Sequence, residues 1–155
     1  MNKSGAIGTR TAETVVRYLK VNGFPYAERR PLHGAVDLGD ITGTIGLCWQ
    51  VKGGAAAETA SDQKIAEWLD KTDEQRRNAS AAYGVLVTKR KGVGPKNCGA
   101  WWAIVRGAEW ADLLNAALHI NAVDHHYPVR VHLRSMVTLL RTAGYGDPHP
   151  RADAA

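Results

Sequence analysis

Residues 39–52 of the chain read GDITGTIGLCWQVK. The central Gly43-Thr44-Ile45-Gly46 is rich in turn-forming residues and separates two runs that contain apolar and β-branched side chains. This arrangement is typical of a β-hairpin, with strands over 38–42 and 47–52. The stretch therefore predicts a sheet, and the rest of the chain has to cover it.

Three polar side chains in this hairpin form a set that can support chemistry. If the chain turns about Ile45, Asp40 lies opposite Gln50, since both are equidistant from the turn. Side chains alternate along a strand, so Gln50 and Lys52 share one face. A carboxylate and an amide oxygen can hold a divalent cation such as Mg²⁺, which prefers hard oxygen ligands. The ammonium group can then position a water molecule or offset negative charge on a phosphate.

Hydrophobic periodicity predicts the elements on either side of the hairpin. A stripe with a 3.6-residue period predicts a helix over 9–21, and a short strand is expected over 26–30. Beyond the hairpin, the pattern predicts a helix over 61–79 with Ser61 as its N-cap. Continuous apolar runs predict strands at 85–87 and 101–105, and two more apolar stripes predict helices near 110–117 and 133–140. The order is helix, three strands, helix, two strands and then one or two helices, which predicts an α/β fold with a mixed sheet.

Composition limits the class of protein. The 155 residues are 45% hydrophobic and 23% charged, which fits one globular domain, expected over 1–143 with a flexible tail over 144–155. The net charge of +5 is compatible with a polyanionic partner. No apolar run approaches a membrane span and no signal peptide is visible, so a cytoplasmic protein with no membrane partner is expected. Cys48 and Cys98 are isolated, which indicates neither a disulfide framework nor a zinc site.

Other acidic and basic residues can extend the hairpin site. Glu13 lies at the rim of the first helix's apolar stripe and can lean toward Asp40, although an ion pair with Arg17 at i, i+4 explains it equally simply. A glycine-rich loop and three further arginines supply candidate phosphate contacts: Lys89, Arg90, Lys91, Lys96, Arg10, Arg29 and Arg30.

Simpler interpretations of these residues stay open. Asp40 can merely cap a turn, Gln50 and Lys52 can form the solvated face of an edge strand, and the basic loop can be solvated. The histidines are expected to be surface or packing residues: His125, His126 and His132.

Over roughly residues 8–114, the sequence resembles the PD-(D/E)XK nuclease superfamily, and within it the archaeal-type Holliday junction resolvases and their phage relatives. The motifs that carry the resemblance are a helix with Glu13, then Gly23-Phe24 and Glu28-Arg29-Arg30, then Gly39-Asp40-Ile41 and Gln50-Val51-Lys52, then Gly84 to Arg90 and the aromatic strand from Trp101. Gln50 stands at the position of the family's usual acid, and Gly39 at that of its proline.

The resemblance implies a restriction-endonuclease-like αβββαβ core with extra C-terminal helices. It implies that Asp40, Gln50, the Val51 carbonyl and Glu13 serve Mg²⁺ or Mn²⁺, and that Lys52 is the catalytic lysine. The implied activity is cleavage of branched DNA, a four-way junction above all, by a homodimer in the cytoplasm of a bacterium, where it can be virus-encoded. Two alternatives stay open: a catalytically silent protein that binds branched DNA, and a repair or restriction-like nuclease of the same fold.

Overall fold

The computed structural model describes residues 3–31, 36–118 and 128–147. It is a mixed α/β fold in which helices flank a six-stranded, mostly antiparallel sheet. The elements in chain order are α1 (Lys3–Val21), β1 (Glu28–Arg29), β2 (Ile41–Thr42), β3 (Leu47–Lys52), α2 (Gly54–Glu58), α3 (Asp62–Asn78), β4 (Tyr83–Thr88), a 3₁₀ segment (Pro95–Ala100), β5 (Trp102–Arg106), α4 (Gly107–Leu118), β6 (Pro128–His132) and α5 (Leu133–Thr142).

The strands lie side by side in chain order from β1 to β6. Strands β3 and β4 run parallel, and every other neighbouring pair is antiparallel. A parallel pair needs a long crossover, which the segment containing α3 supplies. In the β2–β3 hairpin, Ile41 pairs with Trp49. This register confirms the predicted alignment of Asp40 with Gln50.

Two apolar layers cover the two faces of the sheet. The larger core contains Trp49 and Val51 of β3 and buries residues of α1, α4 and α5 against them. The smaller core joins Leu86 and Ile104 of the sheet to Ile65 and Leu69 of α3. Because side chains alternate along β3, Gln50 and Lys52 lie on the α3 face. The fold thus separates a helix-rich apolar face from the face that carries the polar residues of the hairpin.

The strongest predicted elements occur close to their expected positions. Strand β3 has the predicted bounds, and α3 begins after Ser61, whose hydroxyl accepts a hydrogen bond from the Lys64 amide at 3.2 Å. Helix α1 begins at Lys3 rather than Thr9. Helix α2 and strand β6 were not predicted, because the first is a single short turn of small residues and the second is a partly exposed edge strand.

The flexible tail was predicted to begin at residue 144, but the next few residues contact the rest of the domain. Tyr145 packs edge-on against Tyr83, with ring centroids 5.6 Å apart. The Asp147 amide donates to the Gly23 carbonyl at 2.9 Å. Residues 144–147 are therefore attached to the body of the domain, and residues 148–155 lie outside the described part. Within the described ranges, no helix is both long and apolar enough to cross a membrane.

Candidate active site

Asp40 is the centre of the polar cluster on the hairpin. Its Oδ2 atom accepts a hydrogen bond from Nε2 of Gln50 at 2.6 Å and another from the Val51 amide at 2.6 Å. Lys52 follows at the carboxyl end of β3, with its ammonium nitrogen 5.9 Å from the centre of the Trp68 ring. The structure therefore brings together Asp40, Gln50, Val51 and Lys52, as the sequence predicted.

The backbone before Asp40 fixes the carboxylate in place. Gly39 has a φ of +86°, and a Cβ atom there would lie 2.8 Å from both the Cys48 sulfur and the Trp49 carbonyl oxygen. Only glycine fits both the conformation and the space. Proline, with φ fixed near −65°, is excluded, which gives a physical reason for glycine rather than proline before the aspartate.

Burial perturbs both charged groups of the site. It raises the pKa of Asp40 above its ordinary value, against the opposing effects of the Val51 hydrogen bond and the Lys52 charge. Burial likewise lowers the pKa of Lys52, while the negative charges of Asp40 and Asp37 oppose that shift. Opposite shifts in an acid and a base that lie together are typical of functional sites, although structural networks also produce them.

Helix α3 supplies a second group of residues next to Asp40. Asp37 accepts a hydrogen bond from the Gly39 amide at 3.1 Å and lies 3.6 Å from the Lys71 ammonium. Burial alone would raise the pKa of Asp37, but hydrogen bonds from Gln75 and Gly39, with the charge of Lys71, bring it below the ordinary value. The buried Gln75 leaves its Oε1 atom without a hydrogen bond from the described residues. Asp37 is thus an ionised carboxylate near Lys52.

The structure does not bring Glu13 to this cluster. Its side chain is exposed on α1, and α1 packs on the face of the sheet opposite to Gln50 and Lys52. The expected lean toward Asp40 is therefore not seen, because the apolar stripe of α1 directs Glu13 to solvent. Among the described residues no ion pair joins Glu13 to Arg17 either, and Arg17 instead donates to the Thr14 hydroxyl at 3.2 Å.

The predicted phosphate contacts fall into two groups. Four of them are exposed cations: Arg10, Arg29, Lys91 and Lys96. The other three are engaged within the fold. Lys89 forms an ion pair with Glu58 of the unpredicted helix α2, which offsets its positive charge. Arg30 is half-buried, and its Nε atom is buried without a partner in the described part of the chain.

Arg90 contacts an aromatic cluster formed by β5 and β6 on the α3 face of the sheet. Its guanidinium carbon lies 4.5 Å from the centre of the Trp102 ring, and Nη1 lies 3.0 Å from Nε2 of His132. The His132 ring stacks on Trp102 at 5.1 Å. His132 therefore packs as predicted, whereas His125 and His126 lie outside the described residues.

The simpler interpretations of the hairpin do not hold. Strand β3 lies between β2 and β4 rather than at an edge, and Gln50 is only 5% exposed. Asp40 accepts its bonds across the hairpin from Gln50 and Val51 rather than from its own turn. The local turn contact belongs to Asp37, which accepts from the Gly39 amide two residues along the chain.

Sequence reasoning missed Asp37, Lys71 and Gln75. One signal for Gln75 was available, since it continues the buried stripe of α3 one turn after Thr72, where a polar side chain needs a buried partner. Asp37 precedes Asp40 in a loop, and no periodic pattern connects it to Lys71 on a distant helix. Their proximity depends on how α3 docks on the sheet.

No family model matches this chain, and searches of curated proteins and of solved structures find no similar protein. The inference of function therefore depends mainly on the chemistry of the site.

Proposed function

We propose that the protein is a metal-dependent DNA endonuclease of the PD-(D/E)XK class that cleaves four-way junctions. The observation that carries this proposal is the contact of Asp40 with Gln50 and Val51 across the β2–β3 hairpin, with Lys52 next along β3. This places an acid, an amide and a lysine on adjacent strands at one end of the sheet.

The order of elements supports the same class. Helix α1, three strands, α3 and β4 follow the αβββαβ order that the resemblance implies, with the short α2 inserted before α3. The helices α4 and α5 then correspond to the expected C-terminal additions. Gly39 departs from the family's proline for the steric reason given above.

A divalent cation fits the donor atoms, although weakly. Among the described residues there is no cluster of three His, Cys, Asp or Glu side chains. Mg²⁺ nevertheless needs only one or two carboxylates, because it keeps several waters. Asp40 would hold the ion with oxygens of Gln50 and Val51. Asp37, whose charge acts on both Asp40 and Lys52, would take the role of second carboxylate that was expected of Glu13. When bound, Mg²⁺ or Mn²⁺ would neutralise charge on a phosphate and sharpen a water nucleophile.

Groups of the protein itself would orient the reacting atoms at this site. The two hydrogen bonds to Oδ2 fix the Asp40 carboxylate, and no described residue donates a hydrogen bond to Oδ1. The Lys52 ammonium, 5.9 Å from the centre of the Trp68 ring, presents a positive charge near Asp40, where it would hold the attacking water or offset charge that develops on the phosphate. Its lowered pKa gives Lys52 a larger neutral fraction than an exposed lysine has, and only the neutral form can accept a proton.

A cleavage assay tests the proposal. The purified protein is incubated with a labelled four-way junction and Mg²⁺ or Mn²⁺, beside Asp40→Asn, Lys52→Ala and the control Lys64→Ala. Lys64 is the matched control because its nitrogen lies 6.0 Å from the same Trp68 ring but on the exposed side. Metal-dependent paired nicks should persist in the control and disappear in the other two variants. Cleavage that survives Asp40→Asn would contradict the assignment.

The choice of substrate and the assembly need separate measurements. A panel of junction, fork, flap and linear duplex identifies the preferred DNA, and equal cleavage of linear duplex would overturn the junction assignment in favour of a repair or restriction-like nuclease. Two symmetric nicks call for a two-fold homodimer, which light scattering on the protein–junction complex would detect. The protein would act in the cytoplasm, where such junctions arise.

One observation favours a catalytically silent DNA-binding protein as the second candidate. The Gln50 amide donates to Oδ2 of Asp40, so that one carboxylate oxygen has a protein partner in the place where an active site would hold a cation. Junction binding without cleavage in either metal would support this candidate, and Asp40→Asn would then leave every measured property except stability unchanged.

A further inference from the structure

A groove runs along α1 on the face of the sheet opposite to Gln50 and Lys52. It consists of three cavities of about 450, 330 and 460 Å³. The first and second share Thr14 and Pro95, and the second and third share Tyr18 and Lys96. Because neighbouring cavities share lining residues, they lie side by side along α1 and the 3₁₀ segment, and together they are called here the α1 groove.

The α1 groove is strongly basic. Its cations are Arg10, Arg17, Lys89, Lys96 and Arg134. Lys89 is neutralised by Glu58, but within the described part of the chain no acidic side chain pairs with the other four. Arg10 and Arg17 are two turns apart on one side of α1, about 10 Å along its axis. A row of unpaired cations at this spacing fits a chain of phosphates better than a single anion.

An aromatic ring stands in the groove among these cations. Tyr18 lines both the second and the third cavity, so its half-buried ring lies at their junction. The positive charge of Arg134 acts on its hydroxyl, although burial is the larger influence and raises the pKa of Tyr18. A basic groove lined by an aromatic side chain is how proteins hold single-stranded nucleic acid, since every base can stack on a ring.

The groove begins near the carboxyl end of β3, on the sheet face opposite to the candidate active site. The Lys89 amide donates to the Lys52 carbonyl at 3.0 Å, and Gly54, two residues after Lys52, lines the first cavity. Each cavity has the volume of a small-molecule pocket, which accommodates part of an extended strand.

We propose that the α1 groove binds single-stranded DNA. A four-way junction has four paired arms and no unpaired strand, so this binding site goes beyond the proposed cleavage activity and does not depend on it. We assign phosphate contacts to Arg17 and Arg134, which sequence analysis did not single out, and base stacking to Tyr18.

Binding of a short labelled oligothymidine, measured by fluorescence anisotropy without divalent metal over a range of salt, tests the proposal. The double variant Arg17→Ala/Arg134→Ala should bind more weakly, and the slope of log K against log salt should shrink by about 1.4, or 0.7 for each lost phosphate contact. The control Arg77→Ala removes one exposed positive charge from α3 and should change neither quantity. Tyr18→Leu should weaken binding roughly fivefold or more through lost stacking, whereas Tyr18→Phe should bind as the wild type does.

Several outcomes would overturn the proposal. Wild-type binding by the double variant would remove the groove from the binding surface, and tighter binding of linear duplex or of the matching RNA would contradict the choice of ligand. Thermal melting of each variant guards against misfolding, and Arg17→Ala alone, an exposed change, serves if the double variant does not fold. The assay needs no metal and is repeated with the groove substitutions made in the Lys52→Ala variant. Its result therefore does not depend on the outcome of the cleavage test.

Discussion

Two partly buried carboxylates in this protein have pKa values shifted in the same direction but differ in what surrounds them. Asp40 lies on the β2–β3 hairpin, and Glu109 lies near the amino end of β4, in the first turn of α4. Burial raises the pKa of both above their ordinary values, and each accepts two hydrogen bonds from N–H groups. Glu109 accepts from the amides of Gly84 at 3.1 Å and Arg106 at 3.2 Å.

The partners of Glu109 explain it completely. Its bond to the Arg106 amide satisfies a donor at the start of α4, as a capping box does. Its bond to Gly84 attaches α4 to β4, and Arg76 compensates its charge at 3.6 Å. Asp40, in contrast, faces a neutral amide and a lysine with a depressed pKa at the end of a strand. A raised pKa alone therefore does not identify a functional carboxylate, whereas the chemistry of its partners does.

Asp40→Asn should give the largest effect. Loss of the negative charge should lower the junction cleavage rate by about 100- to 1,000-fold, the usual cost of removing one preorganised electrostatic group. Circular dichroism should show an intact fold, because asparagine can still accept a hydrogen bond. Glu109→Gln is the matched control, and a comparable loss of cleavage in that variant would erase the distinction between the two carboxylates.

Glu109→Gln should instead affect stability. The amide can accept only one of the two N–H bonds, so we expect a loss of about 2 kcal/mol in the free energy of unfolding, measured by urea denaturation. Cleavage below the melting temperature should be unchanged. Glu74→Gln, an exposed change on α3, should alter stability by less than about 0.5 kcal/mol. Equal effects of the two changes would show that Glu109 has no structural role.

Gln50→Glu makes the Asp40 region more like the family's acidic site. Two carboxylates in contact repel each other, so the variant should melt at a lower temperature without metal. Mn²⁺ at ten times its Kd for the variant should then stabilise the variant by about 1.4 kcal/mol, or roughly 4 °C, and the wild type by less. Glu74→Gln should show no such gain. An equal response of Gln50→Glu and wild type would argue against a cation at Asp40.

The pH dependence should give the smallest effect and the same sign for both carboxylates. Folded Asp40 and Glu109 hold their protons more tightly than the unfolded chain does. Their contribution to stability is therefore complete below their ordinary pKa values, 3.8 and 4.5, and is lost as pH rises through the raised folded values. Relative to wild type, Asp40→Asn and Glu109→Gln should each gain stability over that window in urea titrations. A loss of stability relative to wild type as pH rises through that window would contradict the raised pKa values.

The hairpin was predictable because its information is local. The turn at 43–46 sets the register, and alternation along β3 then places Gln50 and Lys52 on one face. Helix α3 was predictable for a similar reason, since Ser61 and the apolar stripe define it without reference to the rest of the chain.

The rest of the site depends on packing between distant segments. Glu13 looked suitable at the rim of its helix, but the sheet face on which α1 docks could not be determined from its stripe. Asp37 meets Lys71 and Gln75 only after α3 crosses over to join β3 and β4. Glu58, which neutralises Lys89, lies on a helix too short to produce a periodic signal.

The parallel pairing of β3 with β4 also has a consequence for the order of folding. The β2–β3 hairpin closes a loop of only a few residues. Strand β4 can pair with β3 only after the long crossover segment closes, which has a larger entropic cost. We therefore expect Asp40 to meet Gln50 early, in a hairpin still open to water. The carboxylate would lose most of its hydration later, when α3 docks, so the step that strains this charge would be among the last to occur as the chain folds.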